Sequence, residues 1–511
     1  MRPGRPSEAS AAGGISAPLA DLIRHWGVYC LGSVSGRLAS FVLLPIYTRF
    51  LSPADYGIKA LVMLAADFVG LFLGLGLAAA VTRFYWSDRN GAPRPEAVST
   101  GLLLSVGIFG IGVAGALWWS SPLAALVFGD PAYTPYLRLG LVGLFFNNAI
   151  VIPMTYLQIR KRSGAFILTS IGILLTSVLL NVLFVVFLGW GVNGVLYSDI
   201  LTYAVFFPPL VAVVAREVGW RFSLPLAGTM LRYGGPLTLL PLAWIVMNRA
   251  DLRFLTHYGS LSAVGIYSVA GQLALILLAA VIQPFETAWG PGQFELDRQE
   301  NAAMLFRRIF QMFLSILLLL GLAVSVFADD LVRIMTAPDF WPAASVVPAL
   351  IASYVLVGAA VVFRSGLLIA NRTGAVAAIA LVTAAVNLGV NAVLVPLYLG
   401  LGAALAKVAA ALALVSLTYL VAQRVYPRDF RLGGAVKAVG CGVVLFVLSR
   451  YIPPAPWPLA LGLKVVLVMA LAPLCAWSHS WLGLRREGGL GGGLGSLDWR
   501  ALVGSLSPRG S

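Results

Sequence analysis

Apolar runs long enough to cross a bilayer recur along the chain, each closed by charged residues or by Pro and Gly. A transmembrane helix needs roughly 20 apolar residues at about 1.5 Å each. Spans are therefore predicted over 26–50, 57–81, 99–120, 137–158, 165–188, 192–214, 233–255, 262–285, 306–327, 344–369, 375–396, 401–423, 433–450 and 459–482. The stretch 121–136 (SPLAALVFGDPAYTPY) is too short and too broken by Pro to cross. The expected fold class is an all-α integral membrane protein of about 14 transmembrane helices.

The polar positions between the runs set an orientation. With the N-terminus in the cytoplasm, the inner loops hold Arg83, Arg89 and Arg94, then Arg160, Lys161 and Arg162, then Arg216, Arg221 and Arg232. The later inner loops hold Arg298, Arg307, Arg308, Arg372, Arg424, Arg428 and Arg431. With the termini included, roughly 23 basic residues face inward and about six outward, the usual positive-inside asymmetry. Both termini are expected in the cytoplasm.

The pattern also repeats. Arg162-Ser163-Gly164-Ala165 opens the fifth span and Asn181 lies near its end; Arg372-Thr373-Gly374-Ala375 opens the eleventh, followed by Asn391. The Arg-to-Asn spacing is 19 residues in both. Arg49-Phe50-Leu51 with Gly57-Ile58 is echoed by Arg253-Phe254-Leu255 with Gly265-Ile266. Six spans per copy is an even number, so the copies enter the membrane in parallel, and transporters of that kind bind substrate between the two bundles. The expected organisation is a disordered cytoplasmic N-terminus (1–25), an N-lobe (26–215), a C-lobe (230–424), two further helices (433–482) and a disordered cytoplasmic tail (487–511).

Composition narrows the class. Of 511 residues 59% are hydrophobic and 11% charged, with mean hydropathy +0.90, about half the charged fraction of a soluble domain. The net charge of +15 is spread singly through short loops, so it reads as topology and no nucleic-acid partner is expected. Cys30, Cys441 and Cys475 lie inside apolar runs and suit packing better than disulfides or metal. The first 21 residues lack the apolar core of a cleavable signal peptide.

Three blocks carry a family resemblance. The first runs from Gly36-Arg37-Leu38 to Thr48-Arg49-Phe50-Leu51-Ser52-Pro53-Ala54-Asp55-Tyr56-Gly57. The second is Tyr233-Gly234-Gly235-Pro236 leading to Asn248-Arg249-Ala250-Asp251 and Val264-Gly265-Ile266-Tyr267-Ser268. The third is Asp339-Phe340-Trp341-Pro342-Ala343-Ala344 with Val347-Pro348. In order and spacing they resemble the Wzx-like, polysaccharide-biosynthesis branch of the multidrug/oligosaccharidyl-lipid/polysaccharide exporter superfamily, over about residues 25 to 425. The resemblance implies V-shaped six-helix bundles and a flippase for undecaprenyl-pyrophosphate-linked oligosaccharide in the bacterial inner membrane. It also implies polysaccharide polymerase and glycosyltransferases as partners, beside the lipid-linked glycan and the membrane lipids.

Charges inside the spans are the candidate site, because each costs about 2.5–3.5 kcal/mol at mid-bilayer unless paired or wetted. The basic and amide candidates for a cavity that holds an anionic head group are Arg37, Arg249, Arg253, Arg364, Lys407 and Gln272. Arg can grip a pyrophosphate bidentately. The acids Asp67, Asp199, Asp251 and Glu286 are candidates for ion pairs or for coupling to H⁺ or Na⁺. The bland alternative is buried packing pairs, Arg37 with Asp67 or Lys407 with Asp199, and snorkelling of Arg249 and Arg253. No cofactor or metal is expected.

Two rival functions remain. An envelope glycosyltransferase or polymerase would carry large external loops with acid pairs; the pair Asp329-Asp330 here suits a solvated helix end better. His25, His257 and His479 are isolated and support neither a nucleophile nor zinc. The other rival is a cation-coupled drug antiporter of the same superfamily, disfavoured because the first span holds no acid.

Overall fold

The structure is a computed structural model that describes residues 41–86, 94–300, 302–452 and 457–478, and these form helices and connecting turns with no strand among them. The first described helix, α1 (Phe41–Phe50), is followed by a sharp turn. There Ser52 Oγ accepts the Asp55 N–H at 3.2 Å while the Asp55 carboxylate accepts the Ser52 N–H at 3.1 Å. With Pro53 in the first turn, this reciprocal cap starts α2 (Pro53–Gly74) four residues before its predicted position. Leu75 and Gly76 then both take left-handed conformations (φ 42° and 62°), so the span breaks before resuming as α3 (Leu77–Tyr85).

The chain continues through α4 (Glu96–Trp118), the short α5 (Ser120–Phe128), α6 (Thr134–Ala149), α7 (Val151–Ile159), α8 (Ser163–Asn181) and α9 (Gly191–Val218). Next come α10 (Leu224–Gly234), α11 (Leu239–Tyr258), α12 (Leu261–Leu277), α13 (Gln283–Leu296), α14 (Ala302–Val326) and α15 (Ala328–Met335). The last are α16 (Val347–Ile369), α17 (Thr373–Val425), α18 (Leu432–Ser449) and α19 (Trp457–Ser478).

Among the described residues ten helices are long and apolar enough to cross a membrane, or eleven with the broken pair α10–α11 counted as one span. The sequence predicts about 14, and the difference has identifiable causes. The 53-residue α17 holds two predicted spans, joined across Leu399 (φ 47°, ψ −122°), where the backbone leaves the helical region. The first and last predicted spans adjoin undescribed residues and are represented by the shorter apolar helices Phe41–Phe50 and Leu459–Cys475. The segment 121–136, excluded as a span, forms α5 and a single 3₁₀ turn at Pro131–Tyr133.

The internal repeat has a backbone counterpart. Before α8, Lys161 is left-handed (φ 55°) and Arg162 N–H bonds Leu157 O at 2.9 Å; before α17, Asn371 is left-handed (φ 55°) and Arg372 N–H bonds Leu367 O at 2.8 Å. The two segments thus turn by the same helix-ending motif.

Exposed Trp side chains mark both ends of the bundle. Trp118, Trp119, Trp190 and Trp341 lie at the arginine-poor end, Trp86 and Trp220 at the arginine-rich end, as membrane interfaces favour.

Helix α2 lies along the junction of the two repeats. Near the arginine-poor end Gly57 of α2 meets Gly265 of α12, and a Cβ on either would overlap a backbone carbonyl of the other helix, Leu261 O or Pro53 O. These are the two glycines that the sequence repeat pairs. Thr48 Oγ1 donates to Met335 O at 3.2 Å at the same end. Near the arginine-rich end Gly76 meets Gly234 of α10, where a Cβ on Gly234 would strike Leu75 O. Both ends of the junction are therefore closed. Helix α10 packs with α3 and α4, burying Met230 completely beside Leu77, Val81 and Tyr156, so the broken seventh span begins against the first bundle.

The acid pair Asp329-Asp330 stands in the first turn of α15, partly exposed as expected of a helix end, and is also paired. Asp329 binds Arg450 at 2.9 Å and Asp330 binds Lys464 at 2.5 Å, tying α15 to α18 and α19.

Candidate functional site

The charged side chains inside the spans form distinct groups. The group at the junction joins the two halves: Arg249 Nε of α11 lies 3.3 Å from Asp67 Oδ2 of α2. Both side chains are about four-tenths exposed (38% and 42%), so the pair faces open space and is not sealed between helices. This pairing differs from that considered for Asp67 from sequence, because α11 packs against α2. Arg37 lies outside the described residues.

A second group belongs to the second bundle alone. Asp251 of α11 is fully buried and binds Lys407 Nζ of α17 at 2.9 Å. The ammonium also donates to Asn248 O at 3.0 Å, and Tyr267 of α12 donates its hydroxyl to Asp251. Lys407 therefore pairs with Asp251 and not with Asp199, which lies in the other bundle. Asp251, two residues on from Arg249, lies on the opposite face of α11, and the charge burial is offset by three polar contacts.

A third pair, Glu286 Oε1 of α13 with Arg364 Nη2 of α16 at 3.0 Å, borders a cavity of about 500 Å³. That cavity is otherwise lined mainly by apolar side chains such as Trp244, Met247 and Leu278, with Thr383 and Thr418 on one wall. Arg253 and Gln272 are partly exposed on α11 and α12 and have no hydrogen-bond or ion-pair partner among the described residues.

A cavity of about 620 Å³ is lined by residues of the first half of the chain. Asp67, Asp199 of α9, Asn147 and Asn148 of α6, and Tyr203 line it, together with Lys59 of α2. Lys59 Nζ stands 3.7 Å from the centre of the Tyr47 ring. Tyr47 is in turn fixed by donating its hydroxyl to Asn181 Oδ1 at 2.8 Å, so the repeated Asn181 orients the ring beneath the ammonium.

Lys59 was missed from sequence, because a span starting at 57 leaves it at the interface. The signal was present in Ser52-Pro53 with Asp55, a helix start that carries Lys59 nearly two turns inside. Once the geometry is known, the net basic character read from sequence is reduced: three of the candidate cations each hold one of the candidate acids.

Comparison with known proteins places this site in context. A family model described as "Polysaccharide biosynthesis protein" matches residues 46–346. Succinoglycan biosynthesis transport protein ExoT of Rhizobium meliloti (strain 1021) is 23% identical over 289 residues, 53% of this chain and 54% of that one. The chain thus aligns with about half the length of that curated relative. Among solved structures, the lipid II flippase MurJ in its inward closed conformation superposes with TM-score 0.70, at 11% identity, over 89% of this chain and 99% of that one. An inward-facing multidrug resistance MATE transporter of the MOP superfamily gives TM-score 0.61 at 15% identity, over 78% and 98%. At these identities the structural likenesses show a shared fold.

Proposed function

Because the chain belongs to the polysaccharide biosynthesis protein family, we propose that it flips a lipid-linked oligosaccharide of the undecaprenyl-pyrophosphate type across the bacterial inner membrane. Residues 26–215 and 230–424 act as two lobes that alternate access to a site at their junction. The observation that carries this reading is Arg249: a half-exposed guanidinium where the lobes meet, paired among the described residues with one half-exposed carboxylate. A pyrophosphate offers two charged groups to the same fork and can replace Asp67 as its partner. Releasing Asp67 removes an ion pair that joins the lobes, so head-group binding and lobe separation are coupled through one contact.

The remaining candidates divide by their surroundings. Arg253 and Gln272 are assigned to the head-group cavity with Arg249, and Arg37 is proposed for it from its place in the sequence alone. Lys407 and Asp251, closed off by Tyr267, are assigned to packing of the second lobe. Glu286 is the acid proposed to carry the coupling H⁺ or Na⁺. Both termini are placed in the cytoplasm, where the basic loops also lie, and the envelope polymerase and glycosyltransferases are proposed as functional partners.

A deletion strain tests the reading. Lipid-linked oligosaccharide should accumulate on the cytoplasmic side and surface polysaccharide should be lost, with drug susceptibility unchanged. Unchanged polysaccharide with raised drug susceptibility would instead support an antiporter, for which the mostly apolar cavity beside Glu286 and Arg364 is the natural drug site.

A further inference from the structure

The geometry points to a saccharide subsite inside the first bundle: the cavity between Lys59 and Asp199 takes one or two neutral, hydroxyl-rich sugar rings. This deepens the flippase reading and rests on it for the identity of the cargo. The cavity of about 620 Å³ has the space of about twenty waters at roughly 30 Å³ each. A saccharide of one or two rings fits that space, whereas a long isoprenoid tail does not.

Its polar lining is unusual for the interior of a helical bundle. Among the described residues, neither the Lys59 ammonium nor the Asp199 carboxylate has a hydrogen-bond or ion-pair partner, although both line the same space. Charges of opposite sign inside one membrane bundle ordinarily close on each other, since separation costs energy at low dielectric. Here the ammonium rests on the Tyr47 ring, which Asn181 fixes, and both charges are left on the lining of one cavity.

Vicinal sugar hydroxyls match such a pair. A carboxylate accepts from two adjacent hydroxyls, an ammonium donates to their oxygens, and an amide does both. Asn148 spends its amide N–H on Leu144 O at 3.0 Å, so its carbonyl oxygen is left as an acceptor, and Asn147 lies beside it on the same wall. An anionic ligand is disfavoured because Asp199 offsets Lys59. A bare metal ion is disfavoured because no group of three or more His, Cys, Asp or Glu gathers among the described residues. Asp67 lines the same cavity and binds Arg249, so a pyrophosphate at Arg249 would place the attached sugars at this mouth.

The test uses the full chain in lipid nanodiscs free of glycoside detergents. Cys30, Cys441 and Cys475 are replaced by Ala, and Ser177→Cys on the cavity wall reports access through its rate of reaction with a small hydrophilic maleimide. Lactose or cellobiose should slow labelling saturably, while exchange of Na⁺ for choline should not. Lys59→Met and Asp199→Asn should each weaken protection by about ten-fold or more, the scale of one lost hydrogen bond to a charged group. Labelling and melting unchanged in the absence of sugar identify variants that fold; Asn147→Ala replaces any that do not. No protection of the parent protein by either disaccharide, or protection by Na⁺ alone, overturns the subsite. The deletion strain separates the two readings: accumulated lipid-linked oligosaccharide without disaccharide protection sinks the subsite alone. Protection without accumulation leaves a saccharide site in a protein that is not this flippase.

Discussion

At the residue scale, the charges within the spans differ in how completely the protein itself satisfies them. Asp251 is fully buried with Lys407, Tyr267 and the Asn248 carbonyl around it, so its partners exist to satisfy one another. Removing one member leaves a buried charge stranded, at a cost of about 3–5 kcal/mol. Asp251→Ala should therefore lower the melting temperature and membrane level of the protein. The joint Asp251→Ala, Lys407→Met change should recover most of that loss in a thermal-stability assay. Asp67 and Arg249 face open space, where water can solvate either partner left alone. Arg249→Ala is expected to keep near-normal levels but to stop export, with lipid-linked oligosaccharide accumulating inside. Arg249→Lys should retain partial export, because charge survives and the bidentate fork does not. Normal surface polysaccharide from a well-expressed Arg249→Ala strain would remove this residue from the head-group site.

At the element scale, the repeat copies meet backbone to backbone, and the last two helices join the core by apolar packing with two ion pairs added. The Gly57–Gly265 crossing has no room for a side chain, and because the obstacle is backbone the helices themselves must part. Gly57→Leu should thus cost more than the about 1–3 kcal/mol typical of an overpacked core, read as loss of folded protein on heating. Helices α18 and α19 pack on α14 through buried side chains such as Ala438, Leu445, Val468 and Leu471, and Asp329–Arg450 and Asp330–Lys464 tie them to α15 at the arginine-poor end. These pairs are partly exposed, so each contributes little alone, about 1 kcal/mol or less. Reversing both acids to Lys should loosen the hairpin to proteolysis, and reversing Arg450 and Lys464 to Asp in the same chain should tighten it again. Truncation near Tyr426 should reduce stability and leave some transport; complete loss of transport at normal membrane levels would place these helices in the mechanism.

At the scale of the whole molecule, contacts close the junction near both ends of α2, Gly57 with Gly265 and Gly76 with Gly234. Alternating access requires that one contact opens while the other holds. The left-handed Leu75 and Gly76 and the break between α10 and α11 lie at the arginine-rich contact, where backbone can swing with the least loss of helix hydrogen bonds. A bis-thiosulfonate crosslink between Cys residues introduced at Phe84 and Tyr233, whose rings meet edge-on 5.8 Å apart at that end, should hold it closed and block export, reversed by reductant. Crosslinking without loss of export would show that this end stays shut through the cycle. On the proposed orientation, with this end in the cytoplasm, a C-terminal alkaline phosphatase fusion should be inactive; activity would remove at least one helix from the topology.

The sequence by itself determined the class, the all-α fold, most of the spans and the repeat. Each of these follows from local rules: hydrocarbon thickness sets the length of an apolar run, and a duplicated turn such as Lys161-Arg162 and Asn371-Arg372 keeps its backbone geometry. It also supplied the list of intramembrane charges, save Lys59, which a helix cap four residues early carried inward. Pairing was another matter. Which acid meets which base depends on how helices distant in sequence are rotated and stacked, and a charge pattern carries no record of that. Only the tertiary structure gave Asp67 to Arg249 and Asp251 to Lys407, and set Lys59 and Asp199 on the lining of one cavity.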